Sequence, residues 1–159
     1  MAVPSSGIHS NGFSLVRHIL KKKNLKLSKK IKRELIKPTK IYVREINKII
    51  QKKLINGCAN ITGGGLLNNL SRVIPDKLCI NINLSSIKTK SIFKWLKKNN
   101  IKDSEMLKTF NCGVGFCLIT RKKNIKKIKG IFSKEYIPYQ IGHISREKSN
   151  IKTFGKMKW

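Results

Sequence analysis

Three glycines separate a strand pattern from a helix pattern in the stretch Cys58-Ala59-Asn60-Ile61-Thr62-Gly63-Gly64-Gly65-Leu66-Leu67-Asn68-Asn69-Leu70. The pattern predicts a strand over residues 58–61, a loop over 62–65 and a helix over 66–73. Glycines let the backbone turn sharply and approach a ligand closely, and the free N–H groups at a helix start carry partial positive charge. The loop is therefore a candidate phosphate cradle, although the same pattern also fits an ordinary turn.

A second loop of this kind, Ser-Ser-Gly-Ile-His-Ser-Asn-Gly, occupies residues 5–12 directly before another helix pattern. Its His9 is the one side chain of the two loops that titrates near neutrality, so it can donate to a phosphate or exchange a proton. A packing or capping histidine is the alternative. Neither loop matches the Walker or the dinucleotide-binding pattern. A third stretch, residues 109–116, breaks a helix with Asn111 and two glycines, and it fits a tight turn into a strand.

Outward from these loops, the chain alternates helix and strand patterns. Helices are predicted over residues 12–23, 28–36, 45–54, 66–73, 91–98, 104–109 and 122–132, and strands over 58–61, 78–84, 114–120 and 139–144, with a short β-rich run at 41–43. A chain of this length buries roughly 70% of the surface it exposes when unfolded, which suits one domain with its own core. We therefore expect a single mixed α and β domain.

The charge balance is strongly basic, with 36 Lys and Arg against 7 Asp and Glu and a formal net charge of +29. A nucleic-acid-binding module is one interpretation. However, only 6 of the basic residues are Arg, the side chain best suited to phosphate and base edges. On the predicted helix at 122–132 the lysines surround an isoleucine stripe, which is typical of a solvated helix face. Specific nucleic-acid binding is therefore the remote alternative.

Other function classes find no support in the composition. No apolar run approaches the roughly 18 residues that cross a membrane, and the first residues have no apolar signal core, which predicts a cytoplasmic protein with no membrane partner. The four cysteines form no Cys-x-x-Cys pair and no histidine lies at ligand spacing, so no metal site is predicted. The few carboxylates are scattered singly, so a self-contained acid/base site is hard to assemble.

Several strings, taken in order, carry a resemblance to a known family. They are Ser5-Ser6-Gly7-Ile8-His9-Ser10-Asn11-Gly12-Phe13-Ser14, Pro38-Thr39-Lys40-Ile41-Tyr42-Val43, Ile61-Thr62-Gly63-Gly64-Gly65-Leu66, Ile92-Phe93-Lys94-Trp95-Leu96 and Thr109-Phe110-Asn111-Cys112-Gly113-Val114-Gly115. Together they resemble the C-terminal domain of phosphoribosylformylglycinamidine cyclo-ligase, the aminoimidazole ribonucleotide synthetase family. The resemblance runs from about Pro4 to Ile144, nearly the whole chain.

The resemblance implies an α+β fold, a three-layer arrangement of helices and mixed sheet with partial ferredoxin-like order. It implies a C-terminal synthetase domain over residues 1–145, followed by a basic tail or last strand over 146–159. The implied reaction is ATP-dependent closure of the imidazole ring of formylglycinamidine ribonucleotide in purine biosynthesis. The family's N-terminal domain, which carries the acidic loop for nucleotide and Mg²⁺ and forms the homodimer, is not within these residues. The chain alone is therefore expected to be inactive and to need that domain as its partner.

The resemblance also assigns roles within the three loops. His9 is the candidate catalytic residue, and the candidate substrate- and phosphate-binding residues are Ser6, Gly7, Ser10, Asn11, Gly12, Thr62, Gly63, Gly64, Gly65 and Asn111. One departure stands out: Asn60 occupies a position where the family pattern has His, and an amide cannot carry a proton there. The alternative within the fold is another ATP-using relative, of the formylglycinamidine ribonucleotide synthetase, selenophosphate synthetase or thiamine-phosphate kinase type.

Overall fold

A computed structural model describes residues 1–147 and 149–159 of the chain. The helices are α1 Phe13–Lys22, α2 Lys29–Leu35, α3 Val43–Gln51, α4 Gly65–Ser71, α5 Ser91–Lys98, α6 Asp103–Thr109 and α7 Ile125–Lys129. The strands are β1 Ala2–Pro4, β2 Gly57–Asn60, β3 Cys79–Asn83, β4 Val114–Ile119, β5 Gly142–Ser145 and β6 Ile151–Phe154. Short 3-10 turns occupy Leu84–Ser86, Lys122–Asn124 and Lys134–Tyr136. The predicted α+β class is confirmed.

The strands form two three-stranded sheets. In the first, β4 lies between β1 and β2 and is antiparallel to both. In the second, β3 lies between β5, to which it is antiparallel, and β6, to which it is parallel. A bridge between Ala2 and Tyr139 ties the first sheet to the segment that leads into β5. The most apolar strand pattern of the sequence, at 114–120, is thus the centre of the first sheet.

The helix ends follow the capping signals of the sequence. Ser28 caps α2, because its hydroxyl oxygen accepts a hydrogen bond from the Ile31 N–H at 3.3 Å. Pro38 follows α2 by three residues and cannot continue it. Glu34, on the last turn of α2, accepts from the Ile92 N–H at 2.7 Å and so caps the first turn of α5, whose own N-cap residue makes no side-chain bond.

Some predicted elements were wrong or incomplete. The run at 41–43 is no strand: Val43 begins α3, and the buried Tyr42 precedes it with its hydroxyl donating to the Pro4 oxygen at 2.9 Å. The predicted helix at 122–132 is a 3-10 turn followed by the short α7, and the strand predicted at 139–144 starts at Gly142. Neither β1 nor β6 was recognised as a defined strand, because each is too short to show a period of two and depends on pairing with distant residues.

Two clusters of buried side chains hold the layers together. The larger one packs α1, α2, α4, α5 and α6 against the sheets through residues such as Leu66, Phe93 and Phe110. The smaller one packs α3 and α7 against the first sheet through Ile49, Leu118 and others. On α7 only Ile128 is fully buried and the lysines are exposed, as expected for a solvated helix face. Within residues 1–147 and 149–159 no helix is long and apolar enough to cross a membrane.

Candidate functional site

The loop at residues 5–12 is held by buried side chains. The Ser6 hydroxyl donates to the Pro38 oxygen at 2.8 Å and accepts from the Lys40 N–H at 3.0 Å, so it ties the loop to the segment before α3. The Ser6 N–H donates to Nε2 of His9 at 3.2 Å. These bonds join two distant parts of the sequence, the 5–12 loop and the segment before α3.

His9 lies inside the loop rather than at its surface. It is 9% exposed, adopts a left-handed backbone conformation with φ 57°, and packs its ring 6.2 Å from that of Tyr42. Burial lowers the pKa of its imidazole below the ordinary value of 6.5. Because Nε2 accepts a hydrogen bond, the neutral ring carries its proton on Nδ1. Near neutral pH, His9 is therefore an uncharged group that holds the loop and has one N–H left to donate.

Asn111 joins this loop to the third glycine-containing stretch. Its side-chain amide donates to the Gly7 oxygen at 2.9 Å, and its Oδ1 accepts from the Gly113 N–H at 2.9 Å. The residue is 3% exposed. Both ends of the side chain thus bond to backbone groups, so Asn111 supports the loop.

The Thr62–Gly65 loop is organised by a residue that sequence reasoning missed. Asn69, on the buried side of α4, places Nδ2 2.7 Å from the Gly65 oxygen and 3.3 Å from the oxygens of Thr62 and Gly63. The Thr62 hydroxyl donates to Asn69 Oδ1 at 3.2 Å. The signal in the sequence was an amide between Leu66 and Leu70 on an otherwise apolar helix face.

The two loops meet. A methyl group placed on Gly63 would lie 3.2 Å from Oδ1 of Asn11, so residues from the two predicted loops are in contact range. Ser10, Thr62 and Gly63 are exposed beside that contact. The structure therefore brings Ser10, Asn11, Thr62 and Gly63 to one surface, with Gly12 and Gly64 half-buried beside it. The other predicted binding residues, Ser6, Gly7, Gly65 and Asn111, are buried.

Both helices that follow the loops start without a cap. Gly12 and Gly64 are the N-cap residues of α1 and α4, with φ 83° and 91°, a backbone region that favours glycine. Neither offers a side chain to the first-turn N–H groups, and neither first turn contains an acidic residue. At the start of α4 the Gly65 N–H donates to the Thr62 oxygen at 3.2 Å. The other first-turn N–H groups and the helix dipoles create positive potential at the surface where the loops meet. Such a surface can bind an anion such as a phosphate.

A cavity of about 310 Å³ adjoins the loops between α3 and the first sheet. Its lining includes Lys40, Tyr42, Asn47, Asn60 and Phe116. Asn60 is exposed here, at the end of β2 and two residues before Thr62. The position where the family pattern has His thus lies on the rim of the same surface, where an amide can donate and accept hydrogen bonds but cannot titrate.

The donor set fits a phosphate better than a divalent cation. Backbone N–H groups, the exposed Ser10 hydroxyl and the Asn11 amide lie at the meeting point of the loops. Across residues 1–147 and 149–159, no three His, Cys, Asp or Glu side chains come together in a way that could hold a metal ion. Mg²⁺ prefers carboxylate and phosphate oxygens, and the residues named at the meeting point of the loops carry no carboxylate.

Similarity to known proteins agrees with this geometry. The family described as AIR synthase related protein, C-terminal domain, matches residues 1–153. The phosphoribosylformylglycinamidine cyclo-ligase of Ligilactobacillus salivarius is 40% identical over 94% of this chain and 47% of its own length. The chloroplastic cyclo-ligase of Arabidopsis thaliana is 37% identical over 91% of this chain and 39% of its own. The bifunctional purine biosynthetic protein of Saccharomyces cerevisiae is 39% identical over 80% of this chain and 17% of its own.

The match is therefore to one part of larger proteins. The chain spans less than half the length of each of these curated relatives. The family match extends through β5 and into β6, so it covers both sheets and both loops. The chain belongs to the AIR synthase related family, as its C-terminal domain.

Proposed function

We propose that this chain supplies the C-terminal half of the active cleft of a phosphoribosylformylglycinamidine cyclo-ligase. The observation that carries the proposal is the close approach of Asn11 and Gly63, which belong to the loops that precede two uncapped helices. Relatives matching nearly the whole chain bear the cyclo-ligase name. Formylglycinamidine ribonucleotide has a phosphate for such a surface to hold, and ATP provides three more.

The proposed reaction uses ATP to activate the formyl amide oxygen of the substrate. The amidine nitrogen then attacks the formyl carbon that bears this oxygen, which closes the imidazole ring. The activated oxygen leaves as phosphate. Phosphoryl transfer depends mainly on positioning and on stabilising the charge of the phosphoryl oxygens. The loop N–H groups at Gly63, Gly64 and Gly12 perform that positioning here, with Ser10 donating from an exposed side chain.

The proposal gives His9 a narrower role than a general acid. With its pKa lowered by burial and Nε2 occupied by the Ser6 N–H, the ring is neutral at working pH. Its Nδ1–H is the one polar group that it can offer to a substrate oxygen. Otherwise it maintains the loop, as Ser6 and Asn111 do from below.

The remaining parts of the cleft come from the other half of the enzyme. ATP needs Mg²⁺, which would supply positive charge to offset that of the phosphate oxygens. We assign its carboxylate ligands, and the homodimer contact, to the N-terminal half that the relatives contain and these 159 residues do not. The chain by itself is accordingly inactive. We place the working enzyme in the cytoplasm, where ATP and the nucleotide substrate are available.

An activity assay tests the proposal directly. The purified chain with formylglycinamidine ribonucleotide and ATP should release no ADP, whereas addition of the N-terminal half of the Ligilactobacillus salivarius enzyme should give substrate-dependent ADP and aminoimidazole ribonucleotide. ADP release by the chain alone, or by the mixture without substrate, would contradict the proposal.

Binding to the loops is tested separately by nuclear magnetic resonance. Inorganic phosphate or ATP should shift the amide signals of Gly12, Gly63 and Gly64 at lower concentration than those of the lysine-rich α7. If α7 responds first, the chain attracts anions through bulk charge and the loops are no site.

A further inference from the structure

Strongly exposed aliphatic side chains are concentrated in one short part of the chain. Ile36, Ile41, Val43 and Ile50 are 79%, 75%, 62% and 51% exposed. Elsewhere in the described residues, the large hydrophobic side chains that reach solvent are spread over distant segments and are less exposed, none above 48%. Single exposed apolar residues are normal on a protein surface, but a concentration of this kind marks an interaction site.

Three of these side chains share one surface. Ile41 and Val43 line the 310 Å³ cavity together with Asn47 and Asn60. Val43, Asn47 and Ile50 follow one another at helical spacing i, i+4 and i+7, so they lie on the same side of α3. We call the surface formed by Ile41, Val43, Asn47, Ile50 and Asn60 the α3 face.

The α3 face also borders an open sheet edge. Within the described part of the chain, β2 pairs with β4 and with no strand on its other side. Free strand edges leave N–H and C=O groups unpaired, and proteins usually cover or blunt them. An apolar helix face beside an unpaired strand edge is a surface that a binding partner would stabilise by covering it.

This surface is continuous with the candidate site. Lys40, next to Ile41, donates its N–H to the Ser6 hydroxyl in the first loop. Asn60 stands two residues before Thr62 in the second loop. A partner seated on the α3 face would therefore extend over the point where the two loops meet.

We infer that the α3 face is the docking surface for the N-terminal half of the cyclo-ligase, an inference that rests on the proposed function. The curated relatives are more than twice as long as the segment they share with this chain, so they contain a partner of sufficient size. Exposed Arg44 and Lys48 flank the apolar residues, while the nearby Glu45 is already paired with Lys40. The docked surface should accordingly be apolar at its centre and carry carboxylates at its rim.

Sedimentation velocity can test this docking. The 159-residue chain is mixed with the N-terminal half of the Ligilactobacillus salivarius enzyme, whose folding is first checked by circular dichroism. The wild-type chain should form a complex, and Ile41→Glu or Val43→Glu should weaken it about tenfold or more, because each buries a charge at the centre of the interface. Phe154→Glu, at an exposed apolar residue of β6, is the matched control and should bind like wild type.

The inference is overturned if the wild-type chain forms no complex, or if Ile41→Glu and Val43→Glu bind as wild type does. Concentration-dependent self-association of the chain that Ile41→Glu abolishes would assign the face to a second copy and also overturn it. Thermal melting of each variant confirms that it is folded. Ring closure measured on the same mixtures separates the two proposals: an Ile41-dependent complex without activity refutes the function alone, whereas activity that survives Ile41→Glu refutes the docking alone.

Discussion

The two loops of the candidate site reach similar geometries by different means. The loop at residues 5–12 depends on residues far along the chain, since Asn111 holds Gly7 across 104 positions and Pro38 and Lys40 hold Ser6. The loop at 62–65 depends on Asn69, no more than seven positions away. The 5–12 loop thus depends on long-range contacts and the 62–65 loop on one neighbouring helical turn. Substitutions that remove these contacts should therefore differ in how much they lower the free energy of unfolding.

The largest expected effect is on the loop that the fold builds. Asn111→Ala leaves the Gly7 oxygen and the Gly113 N–H buried without partners, and the expected loss in the free energy of unfolding is about 3 kcal/mol. Chemical denaturation measures it. Asn68→Ala, at an exposed position of α4, is the control and should stay within about 0.5 kcal/mol of wild type. If Asn111→Ala lowers the free energy of unfolding no more than the control does, the two hydrogen bonds of the Asn111 side chain do not stabilise the fold.

Removing the Asn69 side chain should lower the free energy of unfolding less than Asn111→Ala does, and should disturb the 62–65 loop more. Asn69→Ala frees loop carbonyls that water can partly reach, so we expect a loss of about 2 kcal/mol. Phosphate should then shift the Gly63 and Gly64 amide signals less, while the Gly12 response stays as in wild type. An equal change at both loops would mean that they do not have separate supports.

Glu34, on the last turn of α2, packs against the first loop and caps α5. Its carboxylate caps α5 through the Ile92 N–H, and its backbone oxygen lies 2.8 Å from the point where a Cβ of Gly7 would be. Glu34→Gln keeps an acceptor oxygen but loses the charge, so the expected loss is about 1 kcal/mol. Hydrogen exchange should rise at Gly7 and not at Gly64. Exchange that rises at both positions would contradict the separation.

The smallest expected effect is a pH dependence carried by His9. Its pKa is lowered in the folded state by burial, so protonation favours the unfolded chain. This contribution to stability is complete above pH about 6.5, the unfolded value, and is lost as the pH falls toward the lower folded pKa. Denaturation of wild type and His9→Gln between pH 5 and 8 should show the extra slope in wild type alone, since His18 and His143 remain in both. If the free energy of unfolding depends on pH in the same way for both proteins, His9 is not the source of the pH dependence.

Much of the fold was legible in the sequence, because helices follow local periodicity. The helix at Ser91–Lys98 agrees with its prediction at both ends, and Ser28 caps α2 as its side chain indicates. The positions of the two glycine loops were equally readable. Their contact was not, because nothing local to Asn11 or Gly63 specifies that they meet.

Tertiary contacts explain what the sequence did not predict. Tyr42 lies in a β-rich run, yet its buried hydroxyl and ring contacts place it before a helix instead. His9 and Asn111 were predicted to face a substrate, and whether they do so in the complete enzyme stays a prediction; the described structure places their polar atoms on backbone groups. Residue type identified the positions of the loops, and burial separates their exposed residues from those that support them.

The pairing of β1 with β4 has a consequence for the time at which the candidate site forms. Ala2 pairs with Cys117, so β1 waits for more than a hundred further residues to be synthesised before this partner is available. Contacts of such long range close late, whereas the turn that Asn69 holds can form as soon as α4 is made. During synthesis the 62–65 loop should therefore exist before the 5–12 loop, and the surface on which they meet should be among the last features of the domain to appear.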